Sequence, residues 1–269
     1  MYEILRSHPQ CFVPEAKDIY FFNRYYHFGI NWYKKFFSPA NTASAQTMGE
    51  LSHDYLFSEL AADRIQKHLP EVKLITCLRD PIDRTFSHYL YLVRSGLTRA
   101  PFREALQQFP ELINNSRYAT HLEVYLKRFR RDQLLILNFD DFRNDSREFA
   151  RQLFDFLGMD FVEELPYDKR VLSASRPRSS VVARIMKVGA NQARRFGLAN
   201  MVGRIKRGSV KRLVYAAYSE DDRPRVLPAD HRYLEQVFRP EMEDLKKIMG
   251  TQAEEFDGWT ASVEHGNQV

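Results

Sequence analysis

Two hydrophobic patterns alternate along this 269-residue chain. The first is a short unbroken apolar run. KLITCL (73–78) and LLILNF (134–139) are long enough for strands buried on both faces and too short for helices. TMGEL (47–51) and the aromatic-rich KDIYFF (17–22) read as further strands or extended segments. The second pattern repeats every three or four residues, the spacing of an amphipathic helix. It predicts helices over 29–37, with Ile30, Tyr33 and Phe37 on one face, and over 57–68, 83–94, 119–129, 147–157 and 231–249. Residues 2–8 read as the tail of a helix stopped by Pro9. Gly96, Gly158 and Gly250 close three of the helices, and Pro70 follows a fourth. Apolar strands alternating with helices imply a parallel sheet covered on both faces, an α/β fold. A single domain over 1–269 is the expected organisation, with 169–219 as a variable segment inside it.

Composition narrows this little, but charge does. No run of 18 uncharged apolar residues occurs, so no transmembrane helix is expected, and the first ten residues lack the apolar stretch of a signal peptide. Two cysteines in such a chain, Cys11 and Cys77, suggest a reducing, cytoplasmic setting with a buried free thiol at Cys77. No Cys/His cluster has metal-ligand spacing, so no metal is expected. Residues 169–219 hold 13 Lys or Arg and no Asp or Glu; a segment charge of +13 in a chain of net +5 leaves −8 elsewhere. A local basic stretch of this kind suits an anionic ligand or surface.

One stretch carries chemistry by itself. LITCLRDPIDRTFSHYLYL (74–92) passes from an apolar strand to Arg79, turns on Asp80-Pro81, and continues into a helix bearing Arg84 and Ser87. In open α/β sheets ligands lie at the carboxyl ends of strands. The N-terminus of the following helix has unpaired N–H groups that favour an anion. Arg79 and Ser87 can then converge on one phosphate through charge-assisted hydrogen bonds. The plainer reading is a strand–helix turn with Arg79 paired to Asp80 or Asp83.

At this point the chain resembles the sulfotransferases that use 3′-phosphoadenosine-5′-phosphosulfate (PAPS), in their carbohydrate-acting, heparan-sulfate-type branch and its bacterial relatives. RDPIDRTFSHY (79–89) is similar to the family's 3′-phosphate motif. The segments 8–37, GELSHDYL (49–56), 134–158 and FRPEMEDLKKIMG (238–250) with Trp259 follow the family's remaining motifs in order, over nearly the whole chain. The resemblance implies a three-layer, P-loop-like parallel sheet flanked by helices. It also implies a gap. The family opens with a strand and a Lys-x-Gly-Thr-Thr phosphosulfate loop, which is absent before Met1, while KVGANQ (187–192) stands in the wrong place. The expectation is a chain lacking its first strand and loop, most simply through a start codon assigned too far downstream.

The resemblance assigns roles. Arg79 and Ser87 hold the 3′-phosphate of PAPS, Arg84 braces the turn, and Arg176 and Arg178, in SASRPRSS (173–180), give a second 3′-phosphate contact. Asp18 falls where the carbohydrate enzymes carry a catalytic Glu, and would take the acceptor's proton. Lys17 would contact the sulfonate or the acceptor. His53, where the family has Pro, is a second acid–base candidate. Glu50 and Ser52 line the acceptor or PAPS pocket, and Tyr118 and His121 lie near the nucleotide. The plainer readings are an ion pair of Asp18 with Lys17, a solvated lysine, and a structural histidine. The implied activity moves a sulfuryl group from PAPS, as co-substrate and without metal, to a hydroxyl or amine of a carbohydrate-like acceptor. The competing reading is an inactive remnant that binds nucleotide or anionic glycan. The basic segment suits peripheral contact with an anionic polysaccharide or a membrane surface. With Phe196 as the one aromatic within residues 169–213, a nucleic-acid stacking platform is not expected there.

Overall fold

The computed structural model describes residues 1–37, 45–168, 189, 192, 225–250, 253, 256 and 259, together with the backbone of 175–177 and 215–217. The chain divides into two compact units. The first comprises Met1–Cys77, Val124–Ser173 and Met186–Arg212; the second comprises Leu78–Glu123, Ala174–Ile185 and Leu213–Val269.

In the first unit, α1 (Tyr2–Ser7) leads into β1 (Cys11–Phe12), which pairs in parallel with β2 (Thr47–Met48), Cys11 facing Thr47. Between them the chain makes a π-helical turn over Phe21–Tyr25, a 3₁₀ turn over Tyr26–Phe28 and the short α2 (Ile30–Lys34). KDIYFF is therefore not a strand. Phe21 and Phe22 are adjacent and both fully buried, which a half-buried strand with alternating faces cannot achieve but a tight helical turn can. Their rings join Tyr33, Phe36 and Ile65 of α3 (Glu59–His68) in one aromatic core. Ser58 caps α3 by accepting the Ala61 N–H at 3.1 Å.

The apolar runs form the strands expected of them, β3 (Leu74–Leu78) beside β4 (Leu134–Asn138). The chain passes from one unit to the other at the end of β3. After β4 come two helices, Phe139–Asn144 and Ser146–Leu157, α8 and α9 in chain order. Asp145 caps α9 through the N–H groups of Arg147 and Glu148, and Gly158 ends it in the left-handed conformation that its missing Cβ permits. Leu153 and Phe154 of α9 pack on Ile4, Leu5 and Val13, with Ile75 and Leu135 from the strands alongside.

The second unit is built on α4 (Pro81–Arg94), which starts two residues before the expected Asp83. Asp80 is its cap, accepting the Asp83 N–H at 2.8 Å, and Pro81 sits in the first turn, where its missing N–H costs nothing. α5 (Phe102–Gln108), α6 (Glu111–Asn114), α7 (Tyr118–Leu126), which begins in this unit, and α10 (Pro228–Met249) follow. Ile82, Phe86, Phe102, Leu112, Leu234 and Phe238 form the core. β5 (Ser175–Pro177) and β6 (Tyr215–Ala217) pair antiparallel. Among the described residues no helix is long and apolar enough to cross a membrane.

Candidate active site

The first unit places two of the expected catalytic side chains in contact. Asp18 and Tyr20 both have left-handed backbones, with φ of 61° and 56°. For non-glycine residues this costs of the order of 1–2 kcal/mol each. The turn is held from outside: the Asp18 N–H donates to the Leu51 carbonyl at 2.8 Å and the Tyr20 N–H to the Ser52 hydroxyl at 3.3 Å. Asp18 Oδ1 thereby lies 2.5 Å from His53 Nδ1. The other ring nitrogen, Nε2, is 3.3 Å from Asp54 Oδ1 and 3.4 Å from the Tyr20 hydroxyl. Arg24 pairs with Asp54 and lies 4.4 Å over the Tyr20 ring.

Opposing influences act on His53. Burial lowers its pKa, but the hydrogen bond and charge of Asp18, with Asp54 behind, outweigh it and hold the ring above its ordinary value. The His53 side chain is 68 % exposed, so a substrate can reach it and solvent weakens each of these influences. Lys17 is placed differently: its ammonium sits 4.0 Å over the Tyr2 ring, a cation–π contact.

Behind the pair stands Glu50. Its Oε2 accepts from Ser52 and its Oε1 from Tyr55, both at 2.9 Å, and Tyr33 adds a third hydrogen bond. Burial pushes its carboxyl up to about 7, a rise these hydrogen bonds only partly offset. Burial, with the Glu50 charge nearby, also raises the Tyr33 and Tyr55 hydroxyls.

In the second unit Arg79 follows β3 and reaches forward to Asp83, Nη2 to Oδ2 at 2.6 Å. Ser87 is exposed one helical turn beyond Asp83, so Asp83 and Ser87 share one face of α4, and Arg79, just before the helix, reaches Asp83 on that face. The Tyr118 hydroxyl hydrogen-bonds the Arg79 backbone. Arg84 Nη1 lies 3.3 Å from His88 Nδ1 and 3.5 Å from the Leu112 carbonyl. Buried Thr85 hydrogen-bonds Ser116 at 2.8 Å. His121 Nε2 lies 2.8 Å from the Asn114 carbonyl, and burial lowers its pKa. Only the backbone of Arg176 is described, in β5 opposite Ala216; Arg178 lies outside the described residues. Among the described residues no cluster of His, Cys, Asp and Glu could hold a metal ion.

Sequence reasoning missed Tyr20, Arg24, Asp54 and Tyr55. A signal for two of them was present: Glu50, Ser52, His53, Asp54 and Tyr55 put five polar side chains in six residues.

The sulfotransferase domain family model matches residues 1–246. The chain belongs to this family. The bifunctional heparan sulfate N-deacetylase/N-sulfotransferase 1 of Xenopus tropicalis is 33 % identical over 176 residues, 57 % of this chain and 20 % of that protein. Enzyme 3 of the same series from Homo sapiens is 32 % identical over 194 residues, 62 % of this chain and 22 % of that protein. The matched stretch thus spans about a fifth of these relatives' length. A crystal structure of a sulfotransferase from Alicyclobacillus acidocaldarius aligns over 92 % of this sulfotransferase-family chain and 89 % of its own, with a TM-score of 0.62 and 21 % identity. That likeness shows the fold, the P-loop-like α/β fold of sulfotransferases. Sulfuryl transfer is the chemistry that the family's description names.

Proposed function

We propose that this sulfotransferase domain takes PAPS as its co-substrate and delivers the sulfuryl group to a hydroxyl or amine of a carbohydrate-like acceptor. The observation that carries the reading is the 2.5 Å contact between Asp18 and His53. Sulfuryl transfer needs a base for the acceptor's proton, and a carboxylate–imidazole pair is one. Asp18 holds the Nδ1 proton of the ring, which leaves Nε2 as the nitrogen that takes the proton from the attacking hydroxyl or amine. PAPS supplies the activated sulfuryl group and leaves as adenosine 3′,5′-bisphosphate.

Arg79 and Ser87 fit a terminal phosphate: a guanidinium just before the N-terminus of a 14-residue helix and a hydroxyl in its second turn. The Arg79–Asp83 pair does not stand in the way. Both side chains are part-exposed, 30 % and 53 %, and such a pair is worth about 0–1 kcal/mol. A charge-assisted phosphate contact is worth about 1.5–3 kcal/mol. Lys17, Arg176 and Arg178 remain candidates for the sulfonate and the second phosphate contact. The heparan sulfate relatives support a carbohydrate acceptor, and free Cys11 and Cys77 support a reducing, cytoplasmic setting.

The test combines calorimetry with a transfer assay using radiolabelled PAPS and N-desulfated heparin. Arg79→Ala should weaken adenosine 3′,5′-bisphosphate about 10-fold or more. Asp18→Asn should leave nucleotide affinity intact and slow transfer about 100-fold or more. His53→Ala should do the same. An active His53→Ala beside an inactive Asp18→Asn would make Asp18 itself the base. Tight nucleotide binding without any transfer by the wild-type chain would favour the binding remnant.

A further inference from the structure

The backbone that carries Asp18 is held by three successive alternate N–H groups, and two of them are held by hydroxyls. Asp18 N–H donates to the Leu51 carbonyl, Tyr20 N–H to Ser52 Oγ at 3.3 Å, and Phe22 N–H to the Tyr55 hydroxyl at 3.3 Å. A backbone N–H can only donate. Ser52 and Tyr55 must therefore accept there, and their own protons must point elsewhere. Both point to Glu50: Ser52 to Oε2 and Tyr55 to Oε1. With Ser52 and Tyr55 accepting from the backbone and donating to Glu50, the relay ends on a side chain that can accept several protons at once. An ionised carboxylate does this with two acceptor oxygens; an amide has only one.

The relay converges on the pair. Asp18 and Tyr20, the two left-handed residues, both touch His53, Asp18 through its carboxylate and Tyr20 through its hydroxyl. Left-handed non-glycine residues persist only where their surroundings hold them.

We propose that Glu50 is the positioning residue of the Asp18–His53 pair, orienting the Ser52 and Tyr55 hydroxyls that fix the backbone between Asp18 and Phe22. The inference rests on reading that pair as the acid–base centre. Glu50 acts through the turn, by way of the Ser52 and Tyr55 hydroxyls. It also makes the turn sensitive to pH. The titratable groups facing Glu50 are Tyr33, Tyr55 and Asp18, and burial carries its carboxyl up to about 7. Below that value Glu50 is protonated, one carboxyl oxygen becomes a donor, and a hydroxyl of the relay loses its acceptor.

The experiment follows the His53 ring by NMR titration alongside transfer kinetics, in the full chain, for wild type, Glu50→Gln, Ser52→Ala, Tyr55→Phe and Asp18→Asn. The expected result for Glu50→Gln is a His53 midpoint that falls toward its Asp18→Asn position. Its kcat should drop about 10- to 100-fold with little change in KM for PAPS, the usual effect of slight misplacement. Ser52→Ala and Tyr55→Phe keep the Glu50 charge, so the same trend in them assigns the effect to the relay rather than to lost charge. They also decide the matter if Glu50→Gln does not fold. A wild-type His53 midpoint and wild-type kcat in folded Glu50→Gln and Ser52→Ala would overturn the proposal. Wild-type transfer by Asp18→Asn would instead overturn the acid–base reading, and the His53 midpoint in Glu50→Gln would still decide whether Glu50 holds the pair.

Discussion

At the scale of single residues, the site depends on groups whose ordinary behaviour is altered by a neighbour. His53 is the first. Its folded pKa is raised, against burial, by Asp18 and then Asp54. As a base it must be neutral, so transfer should rise with pH through an inflection above the ordinary value of about 6.5. Replacing Asp18 with Asn should move that inflection down, since burial then acts with less opposition; a pH–rate profile of the residual activity reads it. The same shift affects stability with a definite sign. A raised histidine pKa stabilises the fold below about 6.5, and that contribution is lost as pH rises through the raised value. Asp83 is the second altering neighbour. Its pairing with Arg79 competes with a phosphate, so Asp83→Asn should tighten adenosine 3′,5′-bisphosphate about 2- to 5-fold, the equivalent of a surface pair worth up to about 1 kcal/mol. Calorimetry at low salt tests it, and weaker binding would show that Asp83 orients Arg79 rather than competing for it. Of these residues, Asp18, His53, Arg79 and Ser87 were legible in the sequence, because chemistry-bearing side chains stood at motif positions. Tyr20 was not, since its importance comes from a left-handed backbone and a contact with His53, 33 residues away, that no spacing encodes.

At the scale of elements, legibility followed length and punctuation. The helices at 147–157 and 231–249 were readable because a 3.6-residue period persisted to a closing glycine, and Gly158 and Gly250 both have positive φ. Strands β3 and β4 were readable as short apolar runs bounded by polar residues. α5 and α6 were missed: at seven and four residues they are too short to show a period, although Pro101 and Pro110 stand at their starts. KDIYFF misled because aromatics favour strands by propensity, whereas burial of both Phe21 and Phe22 decided the local structure. α4 began earlier than expected because Asp80, not Asp83, is the cap. That cap can be tested separately from the chemistry. Asp80→Ala removes the acceptor for the Asp83 N–H and should cost about 0.5–2 kcal/mol in chemical denaturation. Because Arg79 immediately precedes the cap, nucleotide affinity should also fall; a stable variant with native affinity would separate the anion site from the start of the helix.

At the scale of the whole molecule, the uneven charge is the feature that folding does not require. A segment with 13 Lys or Arg and no acid is repulsive within itself, in a chain whose remainder is net negative. Such a segment is expected where it meets an anionic partner, and a polyanionic glycan acceptor is the partner the proposed function supplies. We propose that residues 169–219 contact the polysaccharide chain around the acceptor group. Exposed ionic contacts weaken as the screening length falls from about 10 Å at 0.1 M salt to about 3 Å at 1 M. The chain should therefore bind immobilised heparin at low salt and elute with a salt gradient. The combined variant Lys206→Gln, Arg207→Gln, Lys211→Gln and Arg212→Gln should elute at clearly lower salt. Unchanged elution would place the polyanion contact elsewhere on the molecule, and sedimentation of the wild type with phosphatidylserine vesicles but not with heparin would assign the segment to a membrane surface. The comparison also separates two origins of specificity. If the four substitutions raise KM for N-desulfated heparin while sparing kcat, the segment gathers long anionic chains, and the choice of hydroxyl or amine lies with the residues around Asp18 and His53.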